Sequence, residues 1–139
     1  MAQISTRKLK MEVDGIERFA EVSVAVVRSA ASDSDFTTFE QASSGGGRDY
    51  VLAITMAQDA AAGSLWSEVW DNAGTEIPVT LMPYGNAVPS PAEPHFETTA
   101  TIVEPDGDLL GGEADSSNSA RFTIEVEWPL DATPTKVTA

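Results

Sequence analysis

Leu65-Trp66-Ser67-Glu68-Val69-Trp70-Asp71-Asn72-Ala73-Gly74, running on into Thr75-Glu76-Ile77-Pro78-Val79-Thr80-Leu81-Met82-Pro83-Tyr84-Gly85, is the stretch whose reading decides the fold. Leu65, Trp66, Val69 and Trp70 fall at i, i+1, i+4 and i+5. That spacing puts all four on one face of an α-helix, with Ser67, Glu68 and Asp71 opposite. Asn72 and Gly74 end the helix, because both tolerate the left-handed backbone that closes one. Beyond Gly74 the period drops to two: Ile77, Val79 and Leu81 alternate with Pro78, Thr80 and Met82. A short helix therefore leads into a strand, and no other stretch of the chain is as helical. The expectation is the single helix of a β-rich domain, packed on a sheet through a core face of Leu65, Trp66, Val69 and Trp70.

Upstream, Leu9, Met11 and Val13 alternate with Lys8, Lys10 and Glu12. Asp14-Gly15 is a two-residue hairpin signal. Residues 16–27 then read as the returning strand, with Ala20, Val22, Val24 and Val26 alternating over its second half. The first strand of the pair is short and charged, which suits an edge or a partner-pairing strand. Residues 30–48 differ. They hold Ser32-Asp33-Ser34-Asp35 and Ser43-Ser44-Gly45-Gly46-Gly47, with a brief strand expected over 36–40. A connection this long in a small domain is functional or mobile, and three consecutive glycines favour mobility. Residues 49–56 alternate as another strand, and Asp59 is the expected helix N-cap, with Gly63 awkward in the first turn and Ser64 the alternative start of the helix.

Downstream, Pro89, Pro91 and Pro94 mark a loop that cannot join a sheet ladder. Residues 95–103 read as a strand with Glu97, Thr99 and Thr101 on one face and Phe96 and Ile102 on the other. A turn at Pro105-Asp106-Gly107 and a second flexible acidic stretch over 111–119 follow. Residues 121–128 alternate most cleanly: Phe122, Ile124, Val126 and Trp128 toward a core, Thr123, Glu125 and Glu127 away from it. Pro129 is expected to stop this strand and leave a polar tail over 129–139. The sum is one mainly β domain over 1–139: a β-sandwich or partly closed barrel of six or seven strands with one flanking helix and a long loop.

The chain has 139 residues, 42% of them hydrophobic, enough for a sizeable core. It has no cysteine, which excludes disulfides and thiolate metal sites. No apolar run approaches the roughly 20 residues of a membrane span. The polar, basic start lacks an apolar signal core, so synthesis and retention in the cytoplasm are expected. The net charge is −14. Residues 1–31 contribute +1 of it, from five bases (Arg7, Lys8, Lys10, Arg18, Arg28) and four acids (Glu12, Asp14, Glu17, Glu21), so the remainder carries −15. That is the wrong sign for a conventional nucleic-acid binder, which needs a basic face to displace phosphate counterions.

No catalytic, cofactor-binding or metal site is expected. His95 is the only histidine, and no Gly-x-Ser-x-Gly elbow surrounds any serine. Asp33 and Asp35, or Asp106, Asp108, Glu113 and Asp115, do not follow a calcium-loop spacing. Gly45-Gly46-Gly47 lacks the lysine of a phosphate loop. Glu125 and Glu127, two residues apart on one strand, cannot flank a glycosidic bond from opposite sides.

Several segments together resemble one family. They are Leu65-Trp66-x-x-Val69-Trp70-x-Asn72-Ala73-Gly74, Val79, Pro83-Tyr84-Gly85, Pro89 to Pro94, Thr99 to Val103, Gly111-Gly112 and Phe122 to Trp128-Pro129. Upstream, Arg48-Asp49-Tyr50 and Met56-Ala57-Gln58-Asp59 fit as well, and Pro134-Thr135 follows the terminal strand. Their order and spacing resemble the major tail tube protein of bacteriophages with long, non-contractile tails, over about residues 20–136. The resemblance implies a virion protein that forms stacked hexameric rings, the acidic channel of a tube for genome delivery. It implies as partners further copies of the chain, the tape-measure, tail-terminator and tail-tip proteins, and DNA in transit without sticking. On that reading Glu97, Thr99, Thr101, Thr123, Glu125 and Glu127 are expected to line the channel. Asp35, Phe36, Phe39, Gly45, Gly46 and Gly47 are expected in an inter-subunit loop. The alternative is a capsid-decorating or carbohydrate-binding β-sandwich, which needs exposed aromatics; Tyr84, Phe36 and Phe39 are the candidates.

Overall fold

A computed structural model describes residues 3–4, 6–31, 38–40, 48–117 and 120–139. Among them the chain forms β1 (Lys10–Val13), β2 (Ile16–Glu17), β3 (Val22–Ala31), β4 (Arg48–Ala57), α1 (Leu65–Asp71), β5 (Glu76–Met82), β6 (His95–Thr101), β7 (Thr123–Leu130) and β8 (Thr135–Val137). The strands build one antiparallel sheet in the order β2-β1-β5-β6-β7-β4-β3, with β8 beside β6. The domain is mainly β with one helix, and the sheet does not close, because β2 and β3 end it. Among the described residues there are eight strands rather than six or seven. Two short ones, β2 and β8, lie below the length at which alternation can be read.

The sheet has two halves joined narrowly. β6 meets β7 only at Ala100–Leu130. On one side lie β1, β5 and β6, on the other β7, β4 and β3. Both halves bury the same face into one core: Met11, Val13, Ile77, Val79 and Leu81 from the first, Leu52, Ile54, Met56, Ile124, Val126 and Trp128 from the second. The strict alternation of β7 follows from this, since every second residue is buried.

α1 packs Leu65, Trp66 and Val69 into that core. Ser64 is its cap, accepting from the Ser67 N–H at 3.2 Å. Asp59 instead accepts from Ala61 N–H, two residues on. Trp70 departs from expectation: it is 50% exposed and stacks on Trp66 at 5.3 Å. At about 100° per residue Trp70 stands at the edge of the apolar arc, furthest from Leu65, and the seven-residue helix meets the core through the arc's other side.

Several further expectations change. Asp14 and Gly15 both take positive φ, 53° and 79°, as a type I′ hairpin requires. Yet the returning strand ends after Glu17, and β1 is an interior strand whose other partner is β5. A turn closed by Glu21 N–H to Arg18 C=O diverts the chain, so β3 pairs with β4 at the far edge. A bulge between Val22 and Val24 then flips the alternation: Ala25 and Val27 pack on the core, and Val24 and Val26 are exposed. Phe122 precedes the first β7 pair, Ala57–Thr123, and is 46% exposed against Gly112 instead of entering the core. Pro129 does not stop β7, which continues to Leu130. The C=O of Phe122 turns toward Gln58 beyond β4, whereas the N–H of Asp131 turns toward Thr99 on the opposite side. Odd-numbered β7 residues therefore direct their backbone away from β4, and the missing N–H of Pro129 costs that ladder nothing. The tail after it is not free either, since β8 pairs with His95, Phe96 and Glu97.

The helix placement has a direct check. Leu65→Ala should cost about 2–5 kcal/mol, and Trp70→Ala only about 1–2 kcal/mol because half its surface already meets water. Thermal melts of the two variants measure this; equal losses would contradict the placement.

Candidate interaction surfaces

The core consumes one face of every long strand, so interaction surfaces must come from the outward faces, the free edges and the loops. On the β3-β4-β7 half, register sets Glu127 beside Ala53 and Val26, and Glu125 beside Thr55 and Val24. Thr123, Glu125 and Glu127 are all exposed there, as alternation predicts. Arg28 reaches Glu127 at 3.3 Å. Both side chains of that pair are more than half exposed, so it is worth well under about 1 kcal/mol, but it cancels one carboxylate of the face.

Glu97 lies on the other half. There Glu12 pairs with Glu17 on one side and Thr80 on the other, and Thr80 pairs with Glu97. Three carboxylates thus share one row, with Thr99 and Thr101 further along β6. The structure does not bring Glu97 together with Glu125 and Glu127. Counting outward from the Ala100–Leu130 pair, Glu97 lies one way and Glu127 the other, roughly 20 Å apart along the strands at ~3.3 Å per residue.

β3 is a ten-residue edge strand. Among the described residues nothing pairs with its outer side, and Val24 and Val26 are exposed on it. Its sequence, Val22-Ser23-Val24-Ala25-Val26-Val27-Arg28-Ser29-Ala30-Ala31, has no proline and one charge. Apart from the bulge between Val22 and Val24, it has none of the features by which monomeric proteins blunt an edge. The β3–β4 hairpin is paired as far as Ala31–Arg48, so the long connection begins at its tip. Asp35, Phe36, Gly45, Gly46 and Gly47 lie outside the described residues. Of the brief strand expected over 36–40, the described residues 38–40 carry no strand pairing. Phe39 is 96% exposed.

Two ties were not legible in the sequence. Arg18, 5% exposed, donates to Glu21 at 3.0 Å and to Gly63 C=O at 2.6 Å, while Glu21 accepts from Leu65 N–H. This ion pair fastens the turn before β3 to the start of α1. Gln58 donates to Gly111 C=O at 3.0 Å and accepts from Gly111 N–H at 2.7 Å. Trp66 Nε1–H donates to Leu109 C=O at 2.9 Å. The stretch expected to be flexible from Gly111 onward is therefore held at its beginning. Only a Gln four residues from a turn signalled it, which is no signal.

His95 is buried and its Nε2 lies 2.9 Å from Asn86 C=O, a structural contact holding the proline-rich loop. No grouping of three metal-ligating side chains occurs among the described residues, and no helix is long and apolar enough to cross a membrane. No protein-family model matches this chain, and neither does any curated protein.

The Gln58 tie predicts a local effect. Gln58→Ala removes a hydrogen bond worth about 1 kcal/mol, so Gly111 N–H should exchange with solvent several-fold faster by NMR. Unchanged exchange at Gly111 would mean that Gln58 does not hold the loop.

Proposed function

We propose that this chain is a self-assembling virion subunit of the phage tail-tube type, polymerising as stacked rings around a channel for DNA. The observation that carries the reading is β3: a ten-residue, largely apolar edge strand whose outer side has no partner among the described residues, extended at its tip by a long connection. Pairing that edge with a neighbouring copy removes the exposed backbone donors and acceptors. The resemblance over about residues 20–136 supports the same class of function.

Ring formation across β3 would continue the β7-β4-β3 half-sheet from subunit to subunit. Its core side is already covered by the other half and α1. The outward face, on which Thr123, Glu125 and Glu127 are exposed, is then the one assigned to the lumen. Glu97, Thr99 and Thr101 go to the separate outward face of the first half. A carboxylate wall repels phosphates at short range, and screening ends that repulsion beyond about 8–10 Å at physiological salt. Basic residues would hold DNA by counterion release; the one in this face, Arg28, is taken up by Glu127. Six copies at −14 each carry −84 per ring, so sheet pairing and apolar burial must outweigh repulsion, and assembly should strengthen with salt.

Negative-stain microscopy of the purified chain tests the reading: rings or tubes are expected, and a uniform population of monomers at high concentration and salt would refute it. Val24→Lys with Val26→Lys should leave the melting temperature nearly unchanged and abolish ring formation. Glu125→Lys with Glu127→Lys should leave rings intact but make them retain DNA at low salt, measured by co-sedimentation. Rings that still exclude DNA would remove this face from the lumen.

A further inference from the structure

The two halves of the sheet part along β7, and the parting leaves a second strand edge open inside the domain. Odd-numbered β7 residues direct their N–H and C=O away from β4, toward β6. β6 meets them only at Ala100–Leu130 and then leaves. Ile102 is drawn off toward the start of β5, bonding to Thr75 C=O and Gly74 N–H. Among the described residues no backbone hydrogen bond reaches Glu125 or Glu127 from this side, and none joins residues 103–108 to β7. Further along, Thr123 C=O accepts from the Gln58 amide, which closes the far end of the open edge.

Unlike the outer side of β3, this edge has a second bank. Residues 103–108 and β7 together border a trough of about 880 Å³ that extends over the outward face at Ala53 and Thr55. The trough is acidic on both banks. Glu104, Asp106 and Asp108 come from one and Glu125 and Glu127 from the other, all of them exposed. Arg28, the single base in the lining, is already paired with Glu127.

We propose that this trough takes an extended, lysine- or arginine-rich segment of another protein, added as a strand along the open edge of β7. The backbone of such a guest pairs with the N–H and C=O of Glu125 and Glu127, which is how an exposed sheet edge recognises a peptide. Its side chains alternate between the two faces of the sheet. Those in phase with Glu125 and Glu127 stand on the outward face between the two acidic banks, so every second residue of the guest is basic. Opposite charges facing each other across neighbouring strands stabilise the pair, and like charges oppose it. An acidic segment or a nucleic-acid phosphate chain is therefore repelled. A second copy of this chain does not supply the guest. Its only acid-free run with three bases is residues 1–10, holding Arg7, Lys8 and Lys10. Lys10 is already paired with Met82 in the sheet, and Arg7 is engaged within its own subunit. The trough is complete in one copy, so the inference goes beyond the assembly reading and does not depend on it. Salt separates the two: it should weaken the hold on a basic guest, whereas it should strengthen association between copies.

The test uses the full chain in dilute, low-salt solution with a short synthetic peptide of alternating lysine and valine. Adding the peptide should slow hydrogen exchange at the N–H of Glu125 and Glu127 by about tenfold or more, followed by NMR. The same peptide methylated on its backbone nitrogens keeps its charge but cannot pair as a strand. It should bind at least about tenfold more weakly, by fluorescence anisotropy, and protect neither amide. Glu104→Gln with Asp108→Asn changes two exposed residues, so the melting temperature should hold while peptide binding weakens several-fold. The proposal is overturned by no binding to the unaltered chain, by equal binding of the methylated peptide, or by protection at the outer side of β3 in place of β7. Each of these results leaves the assembly reading where it stood, since microscopy of the chain alone decides that.

Discussion

The burial of one face of a single sheet in one core is the constraint on which the rest of this structure depends. The two halves touch through the one pair Ala100–Leu130, yet both turn their apolar side to the same interior. A strand buried on one face has only one permissible register, because a slip of one residue exchanges the buried and exposed sets. Every outward residue named above, from Glu12 to Glu127, is outward because its neighbours are not. The bulge at the start of β3 shows the rule at work: one extra residue moves Val24 and Val26 from the core side to solvent. What would be a wasted pair of valines in a monomer becomes an apolar edge.

Apolar burial does not position the loops; a few polar ties do. Arg18 and Glu21 are taken out of water together and each finds further backbone partners, Gly63 C=O and Leu65 N–H. A buried pair of this kind adds little net stability over an apolar replacement, but removing one partner strands the other. Its effect is to set where the chain turns away from β1 and where α1 begins. Gln58 and Trp66 act likewise on the segment after Pro105, so that a glycine-rich stretch presents a fixed surface.

Charge and apolar exposure oppose each other across the molecule. A net −14 keeps copies apart, whereas Val24, Val26, Phe39, Leu110 and Phe122 each expose apolar surface that association would bury. The repulsion is long-ranged and falls with salt, while burial acts only at contact. Under the proposed function, this balance would keep copies dispersed when dilute and let them associate when concentrated.

Much of the architecture was legible in the residues themselves. The i, i+1, i+4, i+5 apolar set fixed α1, the Asn72–Gly74 stop fixed its end, and Asp14-Gly15 fixed the first hairpin, because these are local properties of backbone and side chain. The alternation of β7 told which residues face inward. Alternation does not tell which strand lies beside which: it suits β1 as an edge or partner-pairing strand with β3 returning beside it, whereas pairing is decided by contacts between residues far apart in the chain. Nor could it locate the rim of a buried face, and Trp70 and Phe122, both in phase with the core, stand at its margin in water. The composition alone determined that this chain is acidic and cysteine-free, and the alternation along it that it is mainly β. Only the tertiary structure decided that the outer side of β3 has no partner among the described residues and that Glu97 and Glu125 lie far apart, because a strand's own sequence does not record its neighbours.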